Sequence, residues 1–558
     1  MLFRKYFKEV LLLTIVQFAV VFLIAQSVIY PGVPVTKWTP DGNAYYQVDN
    51  GEIVKTEMPS QNKTIFISKK QLITKDGKTI APANFLLSAD GNKALIYTNT
   101  KRVWRFPTRG DYWLLNLKTG FLKQLGKGRP ESSLQFAKFS PDGNKVAYVS
   151  EHNIYLEDLS TNIIKKITDD KGTRKLINGT FDWAYEEEFF CHDGFSWSPD
   201  GKSIAYWQVD ANKIRDYYML NTTDSVYSQV IPVEYPKVGE PPSPARIGVV
   251  NISNGQTKWM NIPGEPNQNY IIRMEWSGAN EIILQQLNRR QTESRLMLCN
   301  TVTGNAKTIY TETDDAWIAT ANEWEEDRDV KGWDWIASGK EFIWFSEKDG
   351  WRHLYRISHD GNKVIKITSG DYDVIGLLTI DEKSGYVYFY ASPYNATQRY
   401  LYKVKLDGTG TAIRVSPMEE EGTHEYEASP DSKYALHSFS NYYTAPQKEW
   451  ITLADHKPFK PDDDISKKIK PENKLKSNLS FFKVTTEEGV TMDGWVVKPK
   501  NFDSTKKYPF VFYVYGEPAA TTVNDMYGAG RNSLYTGDMS ADGYVQVSLV
   551  TGATEMPV

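Results

Sequence analysis

The chain has 558 residues, and Lys+Arg 65 against Asp+Glu 69 leave a net charge of −4. That length exceeds one compact domain, the near-neutral balance excludes a generic basic nucleic-acid binder, and a 41% apolar content excludes disorder. Tyr 34 and Trp 16 favour pleated, half-buried surfaces and hence a β-rich protein, while Cys 2 argues against a disulfide framework or a Cys-ligated zinc site.

The chain opens with Arg4, Lys5 and Lys8, then an apolar run from Val10 to Ala25 broken only by Thr14 and Gln17. With the small-x-small tripeptide Ala25-Gln26-Ser27 this predicts a secretory signal peptide over residues 1–27. An uncleaved membrane anchor is the alternative, since Val28, Ile29 and Tyr30 lengthen the span towards the ~20 residues a bilayer needs. Both readings place the folded part outside the cytoplasm, whether periplasmic, secreted or membrane-anchored.

From Trp38 one phrase returns: Trp38-Thr39-Pro40-Asp41-Gly42, Ser88-Ala89-Asp90-Gly91, Phe139-Ser140-Pro141-Asp142-Gly143 and Trp197-Ser198-Pro199-Asp200-Gly201. Degenerate forms follow at Trp276-Ser277, Ser358-His359-Asp360-Gly361 and Ser429-Pro430-Asp431. Pro presets φ, Asp bonds its own backbone and Gly accepts a positive φ, so each phrase predicts a turn. Alternating strands follow, as in Lys145–Val149 and Ser203–Trp207. A spacing of about 50 residues suits a four-stranded blade, so residues 28–478 are predicted as a β-propeller with a terminal linker.

Near residue 456 the texture becomes charged and proline-punctuated through Lys476, as in a linker. Residues 479–558 then read as the start of an α/β domain, with strands at 481–485, 489–497, 509–515 and 543–550. The continuous apolar run at 509–515 predicts a strand buried on both faces.

The most unusual stretch is Phe181-Asp182-Trp183-Ala184-Tyr185-Glu186-Glu187-Glu188-Phe189-Phe190. Three adjacent carboxylates repel one another, and a pair of unit charges at 4 Å interact by ~4 kcal/mol at an effective dielectric of 20. Flanking aromatics argue against a freely exposed run, and a bound ammonium would relieve the repulsion. A solvated helix face is the alternative. Glu419-Glu420-Glu421, beside Gly422, is expected to be solvated, and Glu323–Asp329 to be a polar blade loop. The seven histidines show no metal-ligand spacing, and no P-loop or dinucleotide fingerprint is present, so no metal or cofactor is expected.

The acidic stretch, followed by Trp197-Ser198-Pro199-Asp200-Gly201, resembles the double-glutamate region of the dipeptidyl peptidase IV family. Val233–Gly239 resembles that family's blade-connecting segment, and Asp349-Gly350-Trp351-Arg352-His353-Leu354 its later propeller signature. Tyr508-Pro509 through Tyr515-Gly516-Glu517-Pro518 resembles its first hydrolase strand and turn. The resemblance implies a serine exopeptidase with an eight-bladed β-propeller before an α/β-hydrolase domain, releasing N-terminal X-Pro or X-Ala dipeptides. It implies that Glu187 and Glu188 grip the free α-ammonium of a peptide, that Arg105 bonds the carbonyl between its first two residues, and that Tyr515 stabilises the oxyanion. Peptides with a free N-terminus are the implied partners, no nucleic acid is, and a homodimer is expected of a full-length form.

Acyl transfer of this kind needs Ser, Asp and His in that chain order. The sequence holds no Gly-x-Ser-x-Gly, its last histidine is His456, and Val550-Thr551-Gly552-Ala553-Thr554 replaces the Asp-x-Arg-Gly of relatives. The expectation is a C-terminally truncated chain, inactive as written, whose incomplete α/β sheet leaves an edge unpaired and an apolar face uncovered. A non-catalytic peptide-binding propeller and a prolyl tripeptidyl peptidase are the alternatives.

Overall fold

The computed structural model describes residues 37–168, 171–320, 333–515, 521–532 and 534–549. The predicted export segment at 1–27, the acidic loop at 323–329, Gly516-Glu517-Pro518 and Thr551–Thr554 lie outside the described residues. Among the described residues, no helix is long and apolar enough to cross a membrane.

The recurrent phrases fold into one kind of turn, except Trp276-Ser277, which ends the strand Asn269–Gly278 with the Ser277 hydroxyl donating to Glu281 Oε1 at 3.0 Å. Ser88, Ser140, Ser198, Ser358 and Ser429 donate their hydroxyls to the aspartate two residues on, at 2.5–2.8 Å. Gly42, Gly91, Gly143, Gly201 and Gly361 follow with φ between 66° and 76°, a region closed to most side chains. In the first turn the Thr39 hydroxyl, then the Asn43 N–H, hold the Asp41 carboxyl down at about 2.

These turns join strands within eight antiparallel units, each a meander: 37–67, 84–124, 134–166, 176–259, 269–313, 334–366, 374–414 and 423–458. The second and third share backbone pairs, Arg109 with Gln135 and Gly110 with Leu134, and so form one eight-stranded sheet. Apolar side chains fill the space between successive units. Ile283 and Leu296 of the fifth meet Phe342 and Trp344 of the sixth. Tyr388 and Leu401 of the seventh meet Ala435 and Ile451 of the eighth. Each such buried side chain contributes about 1.5–3 kcal/mol. The ring closes where Trp450 of the eighth unit stacks on Tyr45 of the first at 5.4 Å and meets Trp38 edge-on at 5.9 Å. This is the β-propeller expected from the repeats, with the eight blades that the family resemblance implies.

The fourth blade departs from the pattern. Its first strand is broken in two, Leu176–Asn178 and Phe195–Trp197, and both halves pair with Ser203–Asp210. The chain between them forms a helix, α1, over Trp183–Phe189. A second insertion in this blade is the hairpin of Asp216–Asn221 and Gln229–Glu234, so Val233 and Glu234 of the predicted connecting segment end one of its strands.

The stretch read as a linker is more ordered than its composition suggests. Lys457–Pro458 is the last strand of blade eight, and Ile465, in a short 3-10 turn, is fully buried. Beyond it, Leu479–Thr485, Thr491–Val497, Val545–Leu549 and Phe510–Tyr513 pair in that order, the last two in parallel. Phe510–Tyr513 is therefore an edge strand. Phe510 is 59% exposed and Phe512 63%, which corrects the expectation of burial on both faces. An apolar run states what a strand prefers, not what covers it.

This sheet is fastened to the propeller through Asp525. Its carboxylate accepts from Gln398 Nε2 at 2.8 Å and from the Tyr442 N–H at 2.9 Å, and its own N–H donates to Thr397 O at 2.6 Å. Leu479, Trp495 and Val523 pack beside it with Tyr442 and Phe481.

Candidate functional site

Helix α1 starts at Asp182, whose carboxylate accepts from the Tyr185 N–H at 3.1 Å and from the Ser243 hydroxyl at 2.5 Å. An aspartate at this position satisfies an otherwise unpaired N–H. Tyr185 and Phe189, four residues apart, face inwards with rings 5.8 Å apart, and both meet Tyr270 of blade five. The Ile271 N–H donates to the Tyr185 hydroxyl at 3.4 Å. The helix ends at Phe190 in the left-handed region, φ 52°.

That inward face fixes where the three acids go. Glu186 is buried beside the His192 ring, with its carboxylate 3.5 Å from Nδ1. Burial pushes the Glu186 carboxyl up, and His192 opposes the shift. Glu187 is half-buried, with 24% of its side chain exposed, and Glu188 is exposed. The run is therefore neither one solvated face nor one buried cluster. Acids in the last turn of a helix oppose its dipole, an unfavourable placement of roughly 0.3–1 kcal/mol each. A local rule broken this way marks a site rather than a scaffold.

Arg105 supplies the compensating charge from another blade. It lies in the loop between the strands Lys93–Lys101 and Arg109–Asn116. Its Nε donates to Glu187 Oε2 at 2.8 Å, and its Nη2 donates to the other carboxylate oxygen, a two-pronged pair. Beside it, Phe106 meets the His192 ring edge-on at 4.9 Å, and Pro107 O accepts from the Tyr97 hydroxyl at 2.6 Å. The Arg105 side chain is 64% exposed.

The structure thus brings Arg105 and Glu187 together and places Glu188 next to them on the same helix. Tyr515 is 49% exposed and lies two residues beyond the edge strand Phe510–Tyr513. His192 and Phe106 were not singled out from the sequence, although each neighbours a residue that was. Cys191 and Cys299, whose pairing the sequence leaves open, are free buried thiols in the core between blades four and five.

One expectation outside this helix is corrected: Glu420 is 2% exposed, not solvated. The histidines lack metal-ligand spacing along the sequence, yet in space His424, His437 and His456 gather with Glu420 and Glu449 in blade eight.

The profile of the dipeptidyl peptidase IV (DPP IV) N-terminal region matches residues 88–446. Dipeptidyl-aminopeptidase B of Aspergillus niger is 26% identical over 93% of this chain, and dipeptidyl peptidase 4 of Trichophyton equinum 27% identical over 88%. The chain spans 59% and 62% of the length of these relatives. Among solved structures, Porphyromonas gingivalis dipeptidyl peptidase 4 superposes with a TM-score of 0.80 at 24% identity, covering 93% of this chain and 71% of that one. A putative dipeptidyl aminopeptidase IV from Bacteroides ovatus gives 0.70 at 19%, covering 93% and 72%. Both share the fold. The chain belongs to the dipeptidyl peptidase IV family.

Proposed function

We propose that this chain carries the substrate-recognition part of an exported serine exopeptidase that releases N-terminal X-Pro or X-Ala dipeptides. The observation that carries the reading is the meeting of Arg105 with Glu187 beside the exposed Glu188. A peptide's α-ammonium bears three donors and one charge, and two carboxylates satisfy both. The exposed edge of Arg105 bonds the first peptide carbonyl. A chain without a free amine meets unpaired acids and is rejected, so cutting is counted from the N-terminus. Tyr515 donates to the oxyanion as negative charge develops there. The sequence contains no serine elbow, so these residues by themselves hold a peptide without cleaving it.

The test is calorimetric titration of an Ala-Pro peptide, free or N-acetylated, into the wild type and Glu187→Gln. A charge-assisted bond contributes about 1.5–3 kcal/mol, so acetylation should weaken wild-type binding at least tenfold. Glu187→Gln should weaken the free peptide similarly and erase the difference between the two peptides. Equal affinity of the wild type for both would overturn the assignment. Turnover of an Ala-Pro chromogenic amide would reject inactivity, and the length of any released peptide would separate dipeptidyl from tripeptidyl action.

The hairpin of blade four exposes Tyr218 (68%), Leu220 (68%), Val226 (98%) and Tyr227 (85%) to solvent. Such a projecting apolar edge suits pairing with a second copy, so a homodimer belongs to this reading, checked by light scattering. The basic head and apolar run at residues 4–25 are assigned to export, with cleavage or anchoring decided by the N-terminal sequence of the mature protein.

A further inference from the structure

The buried histidines of blade eight have no part in peptide recognition. His437 lies directly opposite Tyr426 on one side and opposite Glu449 on the other, and His424 is two residues from Tyr426. Register alone therefore sets His424, His437 and Glu449 on one face of three adjacent strands. His424 and His437 are fully buried, and Glu449 is 4% exposed.

The outer nitrogens of the two imidazoles are already committed. His424 Nε2 lies 2.8 Å from the main-chain oxygen of Glu420, so it carries the proton and donates. His437 Nδ1 lies 2.8 Å from Glu449 Oε1 and, with that carboxyl ionised, donates to it, while Oε2 accepts from the Ile465 N–H at 3.3 Å. With both outer nitrogens donating, the inner ones, His424 Nδ1 and His437 Nε2, present lone pairs to each other at 2.9 Å. Two lone pairs at that distance repel unless a positive species stands between them. Glu420 turns a carboxylate towards the same place. Its Oε2 is buried without a hydrogen-bond partner, and Glu420, His424 and His437 each offer a ligand atom within 4.8 Å of the others.

We propose that Glu420, His424 and His437 form a binding site for one divalent first-row metal ion, of which zinc best suits two imidazoles and a carboxylate. The chemistry of the surroundings fits. Ligating imidazoles characteristically donate their other N–H to a carboxylate or a backbone carbonyl, and here one does each. Bonds of about 2.0–2.1 Å at a tetrahedral angle need the nitrogens about 3.3 Å apart, so the rings part by a few tenths of an ångström. The ion replaces a proton as the occupant of the gap and takes Glu420 as its third ligand. It ties the loop before Thr423–Ala428 to two strands of the last blade. The Thr423 hydroxyl, one residue before His424, donates to Asp525 O at 2.9 Å, so the ion also steadies the dock of the C-terminal sheet.

The experiment uses the whole chain, stripped with a chelator and titrated with zinc, while bound metal and melting temperature are measured. One ion per chain and a raised melting temperature are expected. Glu449→Gln, which removes no ligand but weakens the hold on the His437 ring, should lower affinity 10- to 100-fold. Because His437→Gln and Glu420→Gln alter groups buried in the blade, cobalt is added to the unaltered protein as well. Visible bands of four-coordinate cobalt, displaced by zinc, support the site. Absence of these bands, or a melting temperature indifferent to chelator and zinc alike, overturns it and leaves a shared proton in the gap. Zinc uptake that persists unchanged in His424→Gln with His437→Gln also overturns it.

Discussion

Replacing Gly194 by alanine tests whether the acidic helix depends on the pinch from which it hangs. The broken strand of blade four leaves at Gly179 and returns at Gly194, and the two points touch. The Gly194 N–H donates to Gly179 O at 3.1 Å, the Trp207 N–H to Gly194 O at 3.0 Å, and the Gly179 N–H to Trp207 O at 2.9 Å. A methyl on Gly194 would stand 2.7 Å from the Gly179 carbonyl carbon and 2.9 Å from its oxygen. Non-bonded carbons prefer about 3.5–4.0 Å, and backbone atoms cannot swing aside as a side chain does. The two segments must separate by about 1 Å, at an overpacking cost of about 1–3 kcal/mol. Three backbone bonds are stretched with them rather than broken, and together lose about 1 kcal/mol. The sum is a loss of about 2–4 kcal/mol, read as a lower urea midpoint at unchanged slope. Binding of a free-amine Ala-Pro peptide should fall at least tenfold. Gly91→Ala is the control, since its φ is 66° but no atom lies within 4 Å. It should cost only the backbone strain, about 1–2 kcal/mol, and leave peptide binding alone. A Gly194→Ala protein with wild-type midpoint and wild-type affinity would refute the reasoning.

Asp525→Ala removes the acceptor of Gln398 and Tyr442, so it should cost about 2–4 kcal/mol and release residues 479–549 to limited proteolysis before the blades are cut. Asp525→Asn should recover only part of this, because its amide presents a donor to one of those donors. Arg105→Ala should lower stability by less than about 1 kcal/mol, its ion pair being solvent-screened, yet weaken peptide binding, which separates a recognition role from a structural one. Glu347 gives a pH test. Burial, against the pull of Arg352, raises its carboxyl from an ordinary value of 4.5 to about 7. The fold then holds this proton more tightly than the unfolded chain does, so its contribution is full below about 4.5 and is lost as pH rises through about 7. Glu347→Gln should flatten that part of the melting-temperature profile; an unchanged slope between pH 5 and 8 would remove the assignment.

The blades were legible because each turn writes its own chemistry locally: a hydroxyl, an aspartate two residues on and a glycine. The acidic helix was legible as an anomaly, because carboxylates between aromatics break a local preference. Its partner was legible only through the family resemblance, since the link from Arg105 to Glu187 bridges |i−j| = 82 across two blades. That Leu176–Asn178 and Phe195–Trp197 are halves of one strand is hidden for the same reason, as both are defined by Ser203–Asp210. The histidine cluster escaped notice because its spacing follows hairpin register rather than the short intervals of a helix or loop site. Glu420 was misjudged because its neighbours Glu419 and Glu421 are indeed exposed, and the sequence cannot say which member of a charged run turns inwards.

The manner of ring closure has a mechanical consequence. Backbone bonds cross from blade two to three at Gly110 and Leu134, from six to seven at Arg352 and Val374, and from seven to eight at Arg399 and His424. Between eight and one the join is made by side chains, the rings of Trp38, Tyr45 and Trp450 and the bond from Lys460 Nζ to Gln61 Oε1 at 3.3 Å. Side-chain contacts yield more readily than backbone bonds, so this join is the slot of a split washer, outside the arc from blade two to blade four that carries Arg105 and Glu187.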